Sequence, residues 1–494
     1  IMNAVLVLFL CSKFGLSDET SSIIYSVFYC GIYVLSLVGG IIADRTQNYK
    51  GTIMSGLIVM SLGYVILSIP VLSTTENIGW LLPLTCVSLF FIAFGNGLFK
   101  GNLQAIVGQM YDNLEKEAEK KGPEALKLAK SRRDSGFQIF YVFINIGGLI
   151  APFVAPLLRE WWLKVHSMMY NADLPALCHQ YIKEGGDMAS DNLSNLNELV
   201  VKVGGTLTTD LSVFCTQYLD VFNTGIHYSF IASVVAMLIS LFIFIACRKV
   251  FPTPGKKEKQ ESVTYTPAEK AAMAKEIKQR LYALFAVLGI VIFFWFSFHQ
   301  NGQSLSLFAR DFVVTDSIAP EIWQAVNPFF VIVLTPLIML FFGTLARRGQ
   351  QISTPKKIAI GMGIAALAYV FLMVFSFTLP SKEVLGTMSA AEINAIRVTP
   401  WIMIGLYFIL TVAELFISPL GLSFVSKVAP PHLQGLMQGC WLAATAVGNS
   451  LLFIGGILYT TVPIWACWLV FVGATGASMI VMLSMVKWLE RVAK

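Results

Sequence analysis

Charged side chains are scarce in this chain. They make up 13% of its 494 residues, whereas hydrophobic residues make up 56%. Because soluble domains carry about 25% charged residues, the composition excludes an ordinary soluble protein and predicts one that crosses a lipid bilayer several times. The net charge of +6 does not indicate a nucleic-acid partner, since the basic residues gather in alternate loops, as a membrane-topology signal does.

Motifs of common enzymes are missing as well. The sequence has no GxSxG nucleophile elbow, no Walker loop and no HExxH helix, so neither hydrolysis nor ATP use has recognisable machinery. Its eight cysteines are scattered without a CxxC pair, which argues against a metal or redox site. We therefore expect no enzyme activity, no metal and no organic cofactor.

Long apolar runs follow one another along the whole chain. About 20 apolar residues are needed to cross the hydrocarbon core, and the first run begins at Ile1 itself, so we expect a truncated first span. The twelve predicted spans are 1–16, 20–44, 51–72, 80–111, 135–158, 225–247, 281–308, 322–345, 356–379, 398–426, 434–460 and 463–487.

Lysine and arginine predict the orientation of these spans. They concentrate in 112–134, 248–280 and 346–357, whereas 72–79 has none and 309–321 has a single one. By the positive-inside rule, the rich segments lie in the cytoplasm. We therefore expect a multi-pass protein of the cell membrane (inner or plasma membrane) with both termini and the central linker on the cytoplasmic side.

The polar linker 248–280 divides the spans evenly. We predict a six-helix bundle over 1–247, a cytoplasmic linker, and a second six-helix bundle over 281–494. A repeat supports this division, because Gly40-Ile-Ile-Ala-Asp-Arg ends the second span and Gly343-Thr-Leu-Ala-Arg-Arg ends the eighth. Duplicated halves are typical of major-facilitator transporters, so we expect an all-α membrane protein with that fold.

A polar insertion, 159–224, separates the fifth and sixth spans on the outward side. It contains Cys178 and Cys215, which could form a disulfide in an oxidising compartment. Two cysteines also occur together by accident, so both readings stay open. We assign no chemistry to the insertion.

Three ionisable residues lie deep in apolar spans: Lys100, His299 and Glu414. Lys100 and Glu414 hold equivalent places in the fourth and tenth spans, so facing halves would put them on opposite walls of one cavity. Opposite charges across a wet gap suit a zwitterionic ligand. The alternatives are that Lys100 snorkels to the headgroups, that the two pair directly as a structural bridge, or that Glu414 pairs elsewhere.

Polar and aromatic residues at matching depths would complete such a cavity. They are Tyr33, Asn145, Asn327 and Trp441. Asn327 could instead satisfy a carbonyl freed by Pro328, and Tyr33 and Trp441 could be ordinary helix packing.

Residues 140–149, FYVFINIGGL, resemble the F-Y-x-x-I-N-x-G signature of the proton-coupled oligopeptide transporters, a family of the major facilitator superfamily. Similar matches run across the chain and are jointly specific. They are the second-to-third-helix motif at 39–45, the fourth-helix lysine segment at 95–100, and segments at 294–302, 327–328, 414–423, 441 and 448–449.

The resemblance implies proton-driven import of di- and tripeptides by alternating access, with protons as the coupling ion. It implies that Lys100 assists proton coupling and attracts the peptide carboxylate, while Glu414 holds the peptide amine and takes part in coupling. Further implied roles are ligand hydrogen bonds from Tyr33, Asn145 and Asn327, a side-chain pocket shaped by Trp441, and a gating motif at Asp44 and Arg45.

Three features depart from the family pattern. The first-helix E-x-x-E-R motif is expected just before Ile1, and 248–280 is too short for the extra helix pair of many bacterial members. His299 stands where the family usually has Glu or Asp. An imidazole there could carry a coupling proton, neutral when empty and cationic when loaded; alternatively it is a neutral, hydrogen-bonded histidine.

The leading functional prediction is a symporter of short peptides, expected to be a monomer. A relative that moves another small zwitterion or an anion is one alternative. A membrane receptor or scaffold that binds a partner through 159–224 without transport is another.

Overall fold

The computed structural model describes residues 2–74, 76–171, 174–205, 210–252, 267–302, 304–314, 320–350, 352–385, 388 and 390–492. Helices account for 87% of the residues that the structure describes, which confirms the all-α prediction. The α-helices are α1 (Met2–Phe14), α2 (Asp18–Thr46), α3 (Tyr49–Ser68), α4 (Ile78–Glu119), α5 (Pro123–Val165), α6 (Leu174–Lys183), α7 (Ser190–Lys202), α8 (Leu211–Cys247), α9 (Pro267–Phe298), α10 (Ser304–Phe312), α11 (Pro320–Arg347), α12 (Thr354–Ser376), α13 (Lys382–Leu385), α14 (Ala390–Ile396), α15 (Pro400–Val428), α16 (Gln434–Ser450), α17 (Leu452–Thr461) and α18 (Ile464–Val492).

Eleven candidate membrane spans are found among the described residues, each long and apolar enough to cross a bilayer. They match the predicted spans from the second to the twelfth, with α16 and α17 together forming one span. The predicted first span corresponds to α1, whose 13 residues fall short of the roughly 20 that a crossing needs. The structure therefore supports eleven spans, and the count of twelve stays a prediction.

Helix α15 is the most buried of the candidate spans, with 61% of its most apolar window inside the protein, whereas the corresponding value for α5 is 12%. Its start is well defined, because the Thr399 side chain accepts a hydrogen bond from the Trp401 backbone N–H and Pro400 occupies the first turn. This central helix carries Glu414, so that residue is fixed in the interior of its part of the protein.

The described chain separates into two compact units. The first comprises Ile1–Leu35, Ile53–Phe99 and Ile150–Lys249, and the second comprises Ser36–Thr52, Lys100–Leu149 and Val250–Lys494. Helices α2, α3, α4 and α5 are each divided between the units. The units therefore differ from the two predicted six-helix halves, whose boundary at 248–280 stays a prediction.

In the first unit, the insertion 159–224 comprises the end of α5, then α6, α7 and the start of α8. His179 of α6 donates from Nε2 to the Ser12 carbonyl at 2.6 Å, which attaches the insertion to the end of α1. The left-handed Gly15 (φ +61) lies under the His179 ring, where an added Cβ would be 3.0 Å away. Burial lowers the pKa of His179.

The two cysteines of the insertion are both buried, free thiols. The neighbouring Cys215 thiol, together with burial, raises the pKa of Cys178. The structure thus places the two cysteines near each other as free thiols, without a disulfide bond between them. The disulfide stays a prediction.

Candidate functional site

Most of the predicted site residues lie in the second unit. Lys100, Asn145, His299, Asn327, Glu414 and Trp441 belong to it, as do Asp44 and Arg45 of the gating motif. Tyr33 belongs to the first unit, where its hydroxyl lies 3.3 Å from that of Tyr29 and the ring of Tyr29 stacks on Tyr25. Tyr33 is therefore the end of a tyrosine ladder on α2.

Glu414 is the centre of the candidate site. Its side chain is buried (4% exposed) on α15, and its two oxygens accept hydrogen bonds from different helices. Oε2 accepts from Asn327 Nδ2 of α11 at 2.7 Å, and Oε1 accepts from the Tyr141 hydroxyl of α5. Both donors are neutral, so the carboxylate is solvated by hydrogen bonds while its negative charge remains uncompensated by them.

The amide nitrogen of Asn327 donates hydrogen bonds to two side chains. Besides Glu414, Nδ2 donates to Thr411 Oγ1 at 3.0 Å. An amide nitrogen has two hydrogens, so these two contacts account for both. The alternative that Asn327 satisfies a carbonyl freed by Pro328 is therefore wrong, and Asn327 serves to hold Glu414 and Thr411.

Asn145 and Tyr141 form a pair one turn apart on α5. Asn145 is buried, and its Nδ2 donates to the Tyr141 carbonyl at 2.9 Å. The F-Y-x-x-I-N signature thus places its asparagine beneath the tyrosine that reaches Glu414. Tyr141 belongs to the signature, but the sequence analysis did not predict it as a site residue. The available signal was its position four residues before Asn145, which puts the two on the same helix face.

Lys100 is half-buried on α4. In the part of the chain that the structure describes, no ion pair of 4 Å or less joins Lys100 to Glu414, so a direct structural bridge between them is wrong. The Lys100 ammonium is instead within electrostatic range of the His299 imidazole. Two groups that both become cations therefore influence each other here.

His299 begins the 3₁₀ turn His299–Gly302 that follows α9. Its ring stacks on Trp295 with centroids 4.9 Å apart, and Nδ1 contacts Oδ1 of Asn449 on α16. Since Oδ1 can only accept, Nδ1 carries the hydrogen of the neutral ring and Nε2 has the lone pair. Asn449 is a second residue that sequence reasoning did not assign to the site.

Trp441 is buried on α16 (2% exposed). Its ring lies so close to Gly421 of α15 that an added Cβ there would sit 1.9 Å from a ring atom. Helix packing is therefore a role that the structure gives this residue.

The gating motif reaches the start of α16. Asp44 accepts hydrogen bonds from the backbone N–H groups of Gly435 (2.9 Å) and Leu436 (2.8 Å), and from the Tyr49 hydroxyl. These backbone groups are unpaired at the first turn of any helix and carry its positive dipole end. Arg45 is exposed. The aspartate thus caps a helix nearly 400 residues further along the chain.

Comparison with known proteins places these residues in a family. The family model described as POT family matches residues 50–266 and 256–464. Peptide transporter YePEPT of Yersinia enterocolitica is 27% identical over 456 residues, covering 88% of this chain and 78% of the relative. Dipeptide and tripeptide permease B of Salmonella typhimurium is 25% identical, covering 99% of this chain and 92% of the relative.

Solved structures share the fold. A crystal structure of peptide transporter POT with sulfate has a TM-score of 0.55 at 21% identity and covers 99% of this chain and 92% of its own. A POT family transporter in complex with 5-aminolevulinic acid has a TM-score of 0.54 at 19% identity, with 100% and 93% covered. These likenesses confirm the expected major-facilitator fold.

The family model spans most of the chain, and the matches cover 78% and 92% of the two relatives' own lengths. The POT family and these relatives are transporters, which confirms that the chain is not an enzyme. This chain is a multi-pass membrane protein that belongs to the POT family of transporters.

Proposed function

We propose that the protein is a proton-coupled symporter that imports di- and tripeptides by alternating access. The single observation that carries the proposal is the state of Glu414: a buried carboxylate held by two neutral donors, Tyr141 and Asn327. When it is ionised, such a group has its charge available to a cation that arrives later. The peptide-transporter names of the relatives support peptides as the substrate class.

In this proposal the two ends of a peptide are bound by opposite charges. The peptide ammonium donates to Glu414, and the Tyr141 hydroxyl is the donor that it would displace. The peptide carboxylate is attracted to Lys100. Asn145 and Asn327 bond the ends or backbone of the peptide, and Trp441 shapes a side-chain pocket beside Gly421. The role of Tyr33, which lies in the other unit, stays a prediction from the resemblance.

Proton coupling involves Lys100, Glu414 and His299. Protonation of Glu414 removes its attraction for the peptide amine, so peptide release and proton uptake at this carboxylate are linked. A proton on Nε2 of His299 would place a second cation within electrostatic range of Lys100. The peptide carboxylate would relieve the repulsion between these two cations.

The histidine has a plain alternative, a neutral ring held by Asn449 and Trp295. His299→Gln distinguishes the two roles by its effect on the pH profile of peptide uptake. A flattened profile supports coupling, and a profile identical to wild type removes His299 from the coupling groups.

The proposal places the protein in the cell membrane as a monomer with both termini in the cytoplasm. This orientation follows from the lysine- and arginine-rich segments and the positive-inside rule.

The deciding experiment is transport by purified protein in liposomes. We expect counterflow of an alanine dipeptide and its accumulation under an inward proton gradient. Glu414→Gln should lower the apparent affinity for a free dipeptide by roughly thirtyfold or more, since an ammonium–carboxylate contact is worth about 2–5 kcal/mol, but should affect an N-acetylated dipeptide little. Glu198→Gln, on the exposed surface of the insertion helix α7, is the matched control.

Other outcomes would select the alternatives. Counterflow of amino-acid derivatives without peptide counterflow would identify a transporter of another small zwitterion. Peptide binding without any exchange would identify a receptor. Equal loss of affinity for free and N-acetylated peptides would contradict the role of Glu414.

A further inference from the structure

A second polar region of the same unit is a cavity of about 380 Å³. It lies where α5, α11, α12, α15 and α18 meet, at the ends of these helices that border the lysine- and arginine-rich segments. Four lysines line it: Lys127 and Lys130 of α5, Lys357 of α12 and Lys427 of α15. None of these residues belongs to the proposed peptide site.

The charges of this cavity do not balance. Asp134 receives two ammonium groups, from Lys357 at 2.9 Å and Lys427 at 2.7 Å. Glu490 is the second carboxylate of the lining, and it accepts a hydrogen bond from Ser353. Four lysines against two carboxylates leave an excess of two positive charges in the lining.

Two of the lysines are available to a ligand. Among the residues that the structure describes, Lys127 and Lys130 form no ion pair of 4 Å or less. The N-terminal turn of α12, with Ser353 and Thr354, also lines the cavity and adds the positive end of a helix dipole. The polar end of the cavity therefore has the chemistry of a phosphate site.

The other wall is apolar. Met339, Phe342 and Gly343 of α11 contribute to it. On the same helix, Leu340 and Phe341 are exposed, as is expected of side chains that face lipid. An apolar track thus leads from the cavity along the outside of α11.

We propose that this cavity binds the headgroup of an anionic phospholipid, with the phosphate at Lys127 and Lys130 and the acyl chains along α11. A soluble phosphate would use the basic end alone, whereas a lipid uses the basic end and the apolar track together. The site lies on the side that the positive-inside rule assigns to the cytoplasm, where anionic lipids attract basic segments. The proposal does not depend on which solute the protein transports.

The test uses the full chain in phosphatidylcholine nanodiscs with and without phosphatidylglycerol. The thermal midpoint and the lipid retained in native mass spectrometry are measured. We expect phosphatidylglycerol to stabilise the wild type and to remain bound. Lys127→Gln with Lys130→Gln should weaken its binding by roughly thirtyfold, since each lysine near an anionic surface contributes about 1 kcal/mol.

The matched control is Lys120→Gln with Lys121→Gln. It removes the same charge from two exposed positions between α4 and α5 that do not line the cavity, and it should leave lipid binding at the wild-type level. Gly343→Leu adds an uncharged side chain to the lining of the cavity, at a position where an added Cβ meets no atom within 4 Å. This variant should also lose the lipid.

Three results would overturn the proposal. One is equal loss of lipid in the cavity pair and the control pair, which would indicate general surface attraction. Another is that both Gly343→Leu and the double variant Lys127→Gln with Lys130→Gln retain phosphatidylglycerol. The third is equal stabilisation by inorganic phosphate in phosphatidylcholine nanodiscs, which would assign the cavity to a soluble anion.

Discussion

Two buried carboxylates between α5 and α15 are satisfied in different ways. Glu414 is held by the neutral groups of Tyr141 and Asn327, whereas Asp134 is held by two ammonium groups, Lys357 and Lys427. An ion pair within the protein neutralises the charge of the carboxylate, which then has a structural role. Neutral donors leave the charge of the carboxylate available to a cation from outside the protein. The difference distinguishes a carboxylate that can bind a substrate cation from one that holds helices together.

The largest expected effect sharpens the substrate side of this comparison. Lys100→Ala should abolish proton-driven peptide uptake, because it removes the positive charge that we place opposite Glu414 and near His299. Uptake by proteoliposomes under an inward proton gradient measures it. Lys116→Ala, on the exposed end of the same helix, should retain wild-type uptake. Undiminished driven uptake by Lys100→Ala would contradict the proposed coupling.

A second prediction compares the carboxylates directly. Asp134→Asn should lower the free energy of unfolding by about 3–5 kcal/mol, because it leaves two buried ammonium groups without their counter-charge. Glu414→Gln should cost about 1 kcal/mol, since the Tyr141 hydroxyl can turn to accept from the new amide. Denaturant titration in detergent micelles measures both. Equal losses would mean that the two carboxylates have the same structural role.

A third prediction concerns the helix that connects them. Gly421 lies between Glu414 and Lys427 on α15, and Gly421→Ala should destabilise the protein by about 1–3 kcal/mol because its methyl group overlaps Trp441. Trp441→Phe in the same chain should recover part of the loss. Gly473→Ala, whose Cβ would meet open space, serves as the control in thermal unfolding. A harmless Gly421→Ala would contradict the close packing of these helices.

The smallest effect lies in the first unit, away from both carboxylates. Burial lowers the pKa of His179, so below about pH 6.5 the unfolded chain binds a proton that the folded chain does not. Docking of α6 should therefore weaken as pH falls, by at most about 1.4 kcal/mol per pH unit. Hydrogen exchange of α6 measures it. His179→Gln should remove the slope and His166→Gln should keep it; a slope that persists in His179→Gln would assign it to another group.

The sequence predicted those site residues that are unusual where they stand in the chain. Lys100 and Glu414 were found because charges are rare in apolar spans, and Asn145 because it belongs to a signature. Tyr141 was missed, since an aromatic residue is unremarkable in a membrane helix and its value depends on meeting a residue 273 positions away.

The Asp134 cluster was missed for a similar reason. Its lysines lie 223 and 293 positions further along the chain, at the ends of other predicted spans. The cap that Asp44 forms on α16 also joins segments about 390 residues apart. Local pattern predicts helices and unusual charges, but it does not predict which distant helix ends meet.

Helix α5 carries both Tyr141 and Asp134, seven residues or about 10 Å apart along its axis. Helix α15 carries their partners, Glu414 at one level and Ser423 with Lys427 at the other. Side-chain contacts thus join the two helices at two levels along their axes. If, as we propose, a substrate amine displaces Tyr141 from Glu414, the contacts of Asp134 and the hydrogen bond from Arg133 to Ser426 remain to hold the two helices together. The occupancy of the peptide site and the strength of the ion pairs at Asp134 would then together determine how readily α5 and α15 separate.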